Sequence, residues 1–429
     1  MTVHLEFEGI RCFPARQNAA LRPLTILVGE NSSGKTTFLA LCQIATALTG
    51  GPEQALPFNK PPFLLGAFDQ IASYRRGRAG RLRSFSIGVR AGCEALVQEV
   101  EARFESRDGQ PSLTQWTVRS GEVAMHIVAQ GEPGVFTSTM PRRPGDEEVE
   151  DKNAHWAEAL LGFPLKHRPG VSRGVPLKDL LKVSGVHTEI EALRRSLETI
   201  RLGLGDGAYG FAPIRTSPQR TYDPVSAEPR PEGSHVPMLL ARLSRAAANR
   251  QWPALRTALG EFGARAGLFE RIEVLTKGKK ESDPFQIAVK SGGPAFNLVD
   301  VGYGVSQALP ILVDTILRAS KNQLFLLQQP EVHLHPRAQA ELGSFFARQA
   351  GRRGRFVIET HSDYLVDRVR MEVRQGRLRP EDVSLLYFER QKTGATIYNL
   401  ELDRSGTIVN PPPGYRRFFL EEERNLLGV

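Results

Sequence analysis

The stretch "LTILVGENSSGKTTFL", residues Leu24–Leu39, contains the three features that decide the fold. It begins with a short apolar run that ends at a glycine, which is typical of a buried strand. A glycine-rich loop follows, and apolar residues then recur at helical spacing until Gly50 and Gly51 end the pattern. The sequence therefore predicts a strand, a loop and a helix in that order.

The loop "GENSSGKTT" fits the full pattern G-x-x-x-x-G-K-[ST]. Its glycines let successive backbone N–H groups surround phosphate oxygens, and the helix that follows favours an anion at its N-terminus. Lys35 is expected to reach the β and γ phosphates of ATP, and the Thr36 hydroxyl is expected to bind Mg²⁺. The predicted cofactor-binding residues of this loop are Gly29, Asn31, Ser32, Ser33, Gly34, Lys35, Thr36 and Thr37.

Length and composition place the chain among globular proteins. Its 429 residues allow two or three domains, and 41% of them are hydrophobic and 24% charged. The start "MTVHLEFEGIRCF" predicts a first strand and not a signal peptide, and no apolar run approaches the ~18 residues that span a bilayer. We therefore expect a cytoplasmic protein without a membrane partner. Cys12, Cys42 and Cys93 are too scattered to predict a disulfide framework or a thiolate metal site.

Part of the net charge of +9 is concentrated in two basic clusters, Arg75–Arg83 and Arg348–Arg355. Such clusters are compatible with contacts to a nucleic-acid backbone, so DNA is a candidate partner. They are equally compatible with solvated faces of the protein.

The pattern of elements predicts an α/β fold with a mostly parallel core sheet plus antiparallel strands. Residues 1–90 are predicted to form the N-terminal half of a head, and residues 285–429 the C-terminal half. Residues 91–284 are predicted to form an α+β insertion, or lid, with a helical arm. In the C-terminal half, "QLFLLQQ", "GRFVIETHS", "VSLLYFER" and "TIYNLELD" predict strands, and "PRAQAELGSFFARQA" predicts a helix.

Both ends of the chain resemble ABC-type P-loop ATPase heads of the SMC, RecF and RecN kind. Beside the glycine-rich loop, "DVGYGVSQALPIL" resembles the signature loop, "LFLLQQPEVHLHP" the Walker B strand with its D-loop, and "FVIETHSDYLVDRV" the switch-histidine segment. Small bacterial AAA-family ATPases of this topology, found beside nucleases in phage defence, are more similar still. "FAPIRTSPQRTY" and "LELDRSGTIVNPPPGYRRFF" resemble that subgroup.

The resemblance implies that nucleotide lies between two protomers, so a homodimer or higher homo-oligomer is expected. Residues Gly304, Ser306 and Gln307 of the signature loop would then reach the γ-phosphate from a neighbouring copy, with a backbone donor and a hydroxyl. His361 would contact the γ-phosphate as the switch histidine. Ser362 or Asp363 is predicted to cap the helix that follows.

Glutamines stand where the resemblance implies two acids. Gln328 takes the place of the acid that orders Mg²⁺, and Gln329 that of the catalytic acid. A glutamine can coordinate Mg²⁺ weakly through its carbonyl oxygen, but it cannot act as a general base. Three explanations stay open. Glu331 or Glu359 serves as the base, the protein is a natural clamp with slow turnover, or an introduced acid-to-amide substitution traps ATP.

Three further groups of residues are candidates for functional roles. Arg215, Arg220 and Tyr222 either form a rigid display for phosphate or partner contacts, or Arg215 pairs with a carboxylate inside the fold. Gln70 falls near the position of a Q-loop glutamine. His333 and His335 match the D-loop better than a zinc site.

Two functions compete. One is a nucleotide-gated sensor or scaffold that binds ATP and Mg²⁺, dimerises and signals to a nuclease effector in anti-phage defence, with weak or slow hydrolysis. The other is an active SMC- or RecF-like ATPase in DNA repair or DNA-end processing. The paired glutamines favour the first function.

Overall fold

In the computed structural model, the chain forms two large β-sheets with helices packed against them. It describes residues 2–52, 54–75, 80–92, 97–129, 136–139, 150–151, 160–161, 186–205, 207–224, 228–245, 251–278, 280, 282–318, 323–352 and 354–415. Cys93 and parts of both basic clusters lie outside the described residues. The division of the chain into three segments stays a prediction.

The first sheet is antiparallel and joins the start of the chain to the middle. Its strands are β1 Val3–Glu8, β2 Gln17–Leu21, β8 Ser84–Ala91, β9 Gln98–Arg107, β10 Gln110–Ser120, β11 Val123–Ala129, β12 Phe136–Thr139 and β13 Glu150–Asp151. Strand β1 pairs with both β2 and β8, and from β8 the sheet continues in chain order to β13. Alternating burial along β8 and β10 leaves one face of the sheet for the core.

The second sheet holds the predicted α/β core. Its strands are β3 Leu24–Gly29, β14 Ala208–Phe211, β18 Leu324–Gln328, β19 Arg355–Glu359, β20 Val383–Gln391, β21 Gly394–Leu402 and β22 Ile408–Val409. They lie in the order β14-β18-β19-β3-β20-β21-β22. The first five in this order are parallel, and the last two add antiparallel pairs. The predicted fold class, α/β with a mostly parallel core sheet plus antiparallel strands, is confirmed.

Smaller sheets complete the strand pairing among the described residues. A three-stranded sheet contains β15 Arg271–Thr276, β16 Phe285–Lys290 and β17 Ala295–Asn297. Two ribbons pair β4 Asn59–Lys60 with β5 Phe63–Leu64, and β6 Tyr74–Arg75 with β7 Gly80–Arg81.

The described helices are α1 Lys35–Leu48, α2 Phe68–Ile71, α3 Val186–Leu204, α4 Val236–Arg245, α5 Gln251–Ala266, α6 Tyr303–Arg318, α7 Pro336–Gln349 and α8 Asp363–Arg374. Helix α7 begins after His335, whose side chain accepts from the N–H of Arg337, and Pro336 occupies its first turn. Helix α8 begins at the predicted cap, because the Ser362 hydroxyl accepts from the N–H of Leu365 at 3.1 Å.

Alternate side chains of the core sheet point to opposite faces. On β18, Leu326 packs into the cluster that contains α1 and the antiparallel sheet, whereas Phe325 and Leu327 pack into the cluster that contains α6, α7 and α8. Both faces of β18 are therefore buried, as its continuous apolar sequence predicts. Burial of each such side chain stabilises the fold by roughly 1.5–3 kcal/mol.

The described helices of the predicted insertion pack into the two core clusters. In α3, Ile190, Leu193, Leu197, Ile200 and Leu204 are buried in the cluster that contains the antiparallel sheet. Helices α4 and α5 contribute to the other cluster. The sequence pattern predicted amphipathic helices correctly, but an apolar stripe does not specify what will cover it.

Candidate functional site

The glycine-rich loop follows β3 at the carboxyl edge of the parallel strands, where α/β proteins commonly bind ligands. Its backbone is left-handed at Ser32 and at Gly34, with φ values of 60° and 99°. A Cβ atom on Gly34 would lie 2.4 Å from the ring of Phe13, so only glycine fits there. Asn31 and Ser32 are exposed at the loop, and α1 begins immediately after Gly34.

Lys35 crosses the loop from the first turn of α1. Its Nζ donates to the carbonyl oxygens of Gly29 at 2.9 Å and Glu30 at 2.7 Å, and the side chain is buried. The Ser33 hydroxyl also donates to the Glu30 carbonyl oxygen, at 2.7 Å. Burial lowers the pKa of Lys35, while Glu359 and Glu30 oppose that shift. The ammonium group is thus held where the sequence pattern places phosphates.

Thr36 and Glu359 join the loop to the neighbouring strand β19. The Thr36 hydroxyl donates to Glu359 Oε2 at 2.8 Å. Burial raises the pKa of the Glu359 carboxyl group, against the opposing effects of the Thr36 hydrogen bond and the Lys35 charge. A hydroxyl and a carboxylate are oxygen donors of the kind that Mg²⁺ prefers, so these residues fit the cation that the loop implies.

Gln328 is the last residue of the adjacent strand β18, and Gln329 follows it. Gln328 is buried and lies directly opposite Glu359 in the pairing of β18 with β19. Gln329 has a φ of 41°, and its N–H donates to the carbonyl oxygen of Glu359 at 2.8 Å. The predicted roles of Gln328 in metal binding and of Gln329 in catalysis stay predictions. The carboxylate that contacts the loop comes from β19 and not from β18.

Glu331 and His361 contact each other at the same edge of the sheet. The backbone N–H of His361 donates to Glu331 Oε1 at 2.8 Å, while Glu331 Oε2 is buried without a hydrogen-bond partner. Burial raises the pKa of Glu331. Burial and the nearby charge of Lys35 lower the pKa of His361, which favours a neutral imidazole. The charge of Lys35 thus influences His361, and the predicted contact of His361 with the γ-phosphate stays a prediction.

The two arginines of the segment "FAPIRTSPQRTY" differ in exposure, because Arg215 is buried and Arg220 is exposed. Arg215 is 2% exposed, and burial lowers its pKa to about 10, opposed by the charge of Glu331. Arg220 instead makes a bidentate ion pair with Asp300, at 2.9 and 2.6 Å. Tyr222 is buried. Arg215 is therefore inside the fold, but its guanidinium nitrogens have no hydrogen-bond partner there, so its predicted pairing with a carboxylate stays a prediction.

The signature loop is packed against the D-loop segment. A Cβ atom on Gly304 would lie 2.9 Å from the carbonyl oxygen of His333. Ser306 is 6% exposed and its hydroxyl donates to the carbonyl oxygen of Tyr303, and Gln307 is also buried. Ser306 and Gln307 therefore do not present side-chain donors at the surface, contrary to the expectation, because their positions on α6 turn them toward the core.

Sequence reasoning missed Arg11, which follows β1 and contacts the nucleotide loop. Its guanidinium donates to the Thr37 hydroxyl at 3.2 Å and to the Leu65 carbonyl oxygen at 3.1 Å. No motif marks this arginine in the sequence. Gln70, predicted as a Q-loop residue, instead uses its side-chain oxygen to accept from the N–H of Ala67 at the start of α2.

The described parts of the basic clusters are partly engaged inside the protein. Arg348 pairs with Glu341 at 2.6 Å, and burial lowers the pKa of Arg355. Arg81 donates to the Ala72 carbonyl oxygen, whereas Arg83 and Arg352 are exposed. In the ranges that the structure describes, no group of three or more His, Cys, Asp or Glu residues could hold a metal ion, and no helix is long and apolar enough to cross a membrane.

Comparisons with known proteins relate part of the chain to a family. Residues 176–367 match the family described as "AAA domain, putative AbiEii toxin, Type IV TA system". The glycine-rich loop lies outside this range. Among curated proteins, none matches the chain.

Solved structures that align with the chain include three Smc head domains. One is bound to the C-winged helix domain of ScpA, with 10% identity, a TM-score of 0.46, and 94% of this chain and 98% of that chain covered. One is derived from Pyrococcus furiosus and carries an extended coiled coil, with 10% identity, a TM-score of 0.46, and 99% of both chains covered. The third is from Thermotoga maritima, with 11% identity, a TM-score of 0.42, and 94% and 99% covered. The chain thus has a glycine-rich phosphate-loop sequence in a mixed α/β fold, and residues 176–367 are similar to an AAA domain.

Proposed function

We propose that this protein is an ABC-type AAA ATPase head that binds ATP and Mg²⁺ and uses the bound nucleotide to control assembly with a partner. The observation that carries the proposal is the arrangement of the loop, in which Lys35 spans the loop carbonyls and Thr36 contacts Glu359. Together they place the Lys35 ammonium group and a hydroxyl–carboxylate pair at a glycine-rich loop of the kind whose backbone N–H groups bind phosphate. That combination suits a triphosphate with its cation.

In this proposal the loop amides and Lys35 bind the phosphates. Lys35 exchanges its two carbonyl acceptors for phosphate oxygens, which form stronger charge-assisted hydrogen bonds. Thr36 and Glu359, which contact each other beside the loop, would hold the cation. Mg²⁺ when bound would neutralise phosphate charge and polarise the γ-phosphate.

Slow hydrolysis follows from the side chains at the end of β18. Gln328 and Gln329 are neutral, so neither can accept a proton from the attacking water. Glu331 is a nearby carboxylate whose Oε2 has no hydrogen-bond partner, and burial raises its pKa. Glu331 has a pKa raised by burial and already accepts from the His361 N–H, and together with the two neutral glutamines this supports a long-lived ATP-bound state.

We further propose that ATP closes two copies into a homodimer or higher oligomer and that this state engages a nuclease effector in anti-phage defence. The match of residues 176–367 to a family described as a putative toxin of a toxin–antitoxin system supports such a setting. The exposed Gly302 and Tyr303 at the start of α6 offer a surface for the second copy. A ligand shifts this equilibrium only if ATP binds the closed state more tightly.

Sizing the purified protein by light scattering, with Mg²⁺ and with or without ATP, tests this function while phosphate release is followed in the same samples. We expect ATP to increase the measured mass while little phosphate is released. In Lys35→Ala we expect neither the increase in mass nor the slow phosphate release. Nucleotide binding would be contradicted if neither the mass nor the rate of phosphate release changed on addition of ATP or on substitution of Lys35 by alanine. Rapid turnover that DNA stimulates, with steeply salt-dependent DNA binding, would favour the DNA-repair ATPase instead.

A further inference from the structure

Three parallel strands end side by side at the nucleotide loop, in the order β18, β19 and β3. Strand β19 lies between the other two, so its last residue, Glu359, is closer to the loop than the last residue of β18. Glu359 pairs in register with Gln328 on one side and with Leu27 on the other. A carboxylate at either of two neighbouring strand ends could therefore face the same space.

The hydrogen bonds of the nearby side chains show which strand end contacts the loop. The Thr36 hydroxyl, which the loop motif assigns to the cation, donates to Glu359 Oε2 at 2.8 Å. Glu331 is the other carboxylate at this edge, and its Oε1 accepts from the N–H of His361. Glu30 contributes its carbonyl oxygen to Lys35 and Ser33. Glu359 is the carboxylate in direct contact with the loop hydroxyl among the residues that the structure describes.

We propose that Glu359 supplies the carboxylate of the divalent-cation site, next to Thr36, in place of the neutral Gln328. This proposal rests on the proposed function and names the side chain that would ligate the cation. Mg²⁺ at nucleotide sites takes one or two carboxylates, with phosphates and water as the remaining ligands. The amide of Gln328 offers a carbonyl oxygen without charge and therefore cannot replace the carboxylate electrostatically.

The register predicts that the carboxylate can be moved back to β18. Exchanging the two side chains, as Gln328→Glu with Glu359→Gln, keeps the number of carboxylates and amides unchanged. It also keeps both side chains the same length, so packing changes little. Cation binding lost with Glu359→Gln alone is expected to return in part in the exchanged protein, because the new carboxylate lies one strand away.

The experiment measures Mn²⁺ binding by electron paramagnetic resonance in the presence of saturating ATPγS, which reads cation affinity without turnover. We expect Glu359→Gln to weaken Mn²⁺ binding at least about tenfold and the exchanged protein to recover part of that loss. The matched control is Glu401→Gln, an exposed carboxylate on β21 that should leave the affinity unchanged. ATPγS binding without cation is measured by calorimetry on the same proteins.

Each outcome has a definite reading. If wild-type protein binds no ATPγS with or without Mn²⁺, the proposed function fails. If it binds ATPγS and Mn²⁺, and Glu359→Gln retains wild-type Mn²⁺ affinity, the inference about Glu359 is overturned while the function stands. If circular dichroism finds Glu359→Gln unfolded, Glu359→Asp decides instead. That variant keeps the charge but shortens its reach, so a weaker Mn²⁺ affinity supports the inference and an unchanged one overturns it.

Discussion

Arg215 and Glu331 are two buried, oppositely charged side chains that influence each other without a direct hydrogen bond. None of the three guanidinium nitrogens of Arg215 has a hydrogen-bond partner, and neither does Glu331 Oε2. The charge of Glu331 raises the pKa of Arg215, and that of Arg215 lowers the pKa of Glu331, in each case against a larger effect of burial. Buried charges without good pairing destabilise a fold, so this arrangement costs stability at the edge of the nucleotide site.

Glu331→Gln is expected to stabilise the protein at neutral pH. The folded-state pKa of Glu331 is raised above its ordinary value of 4.5, so folding favours the protonated carboxyl group. The wild-type protein therefore loses stability as pH rises through the folded-state pKa, and the neutral glutamine avoids this loss. Chemical denaturation at several pH values measures the effect. A stability advantage that persists unchanged below the unfolded-state pKa would contradict the explanation.

The pair Arg215 and Glu331 also predicts that substitutions at the two positions have non-additive effects on the free energy of unfolding. Arg215→Met removes the cation that opposes the burial effect on Glu331, so the stability gain from Glu331→Gln is expected to be larger when it is added to Arg215→Met. Contacting charged residues commonly couple by about 0.5–3 kcal/mol. Denaturation of the wild type, both single variants and the double variant gives this coupling directly. Additive effects would mean that the two charges do not interact.

Lys35→Ala is expected to weaken ATP binding by roughly 10- to 150-fold, the equivalent of the ~1.5–3 kcal/mol that hydrogen bonds to charged groups contribute. Lys35 already spans the loop in the described structure, so its removal takes away a positioned cation. Calorimetric titration with ATP checks this prediction. The exposed Lys60 offers a control, since Lys60→Ala removes the same charge elsewhere and should leave affinity unchanged.

Gln329→Glu is expected to accelerate phosphate release by about 10²-fold or more, because it introduces a general base where the amide cannot act as one. Steady-state phosphate release with saturating ATP and Mg²⁺ measures the change. Gln391→Glu, at the exposed end of β20, controls for added charge. Equal rates for wild type and Gln329→Glu would show that this position is not near the attacking water.

Gly304→Ala is expected to destabilise the protein by about 1–3 kcal/mol, since the added methyl group would approach the His333 carbonyl oxygen too closely. Gly302→Ala is the control, because a Cβ atom there meets nothing within 4 Å. Thermal unfolding of both variants gives the comparison. Similar melting temperatures for the two would indicate that the start of α6 can shift away from the D-loop.

The sequence predicted the strands and helices of the C-terminal half because their patterns are local. The run "LFLL" is apolar on every residue and forms β18, which is buried on both faces. The strand order is not local. That β19 lies beside β3, and brings Glu359 to Thr36, depends on which strands pair, and apolar periodicity carries no such information. From the sequence, Glu359 is therefore a candidate base and not a candidate cation ligand.

The sequence predicted the local strand, loop and helix around the motif, but it did not predict which side chains of a helix are exposed. The loop at Gly29–Thr37 follows β3 and leads into α1 as its pattern predicts. Ser306 was expected at the surface, yet its position on α6 directs it inward. Arg11 was missed because a lone arginine after the first strand resembles any surface residue in the sequence.

The central position of β3 has a consequence for synthesis. Both of its neighbours in the sheet, β19 and β20, lie far later in the sequence, so the strand that carries the loop has no partner in this sheet until those residues have been made. Pairings between distant segments fold slowly and expose aggregation-prone edges. Truncation near the C-terminus should therefore deprive the nucleotide loop of its support, even though the loop itself was made first.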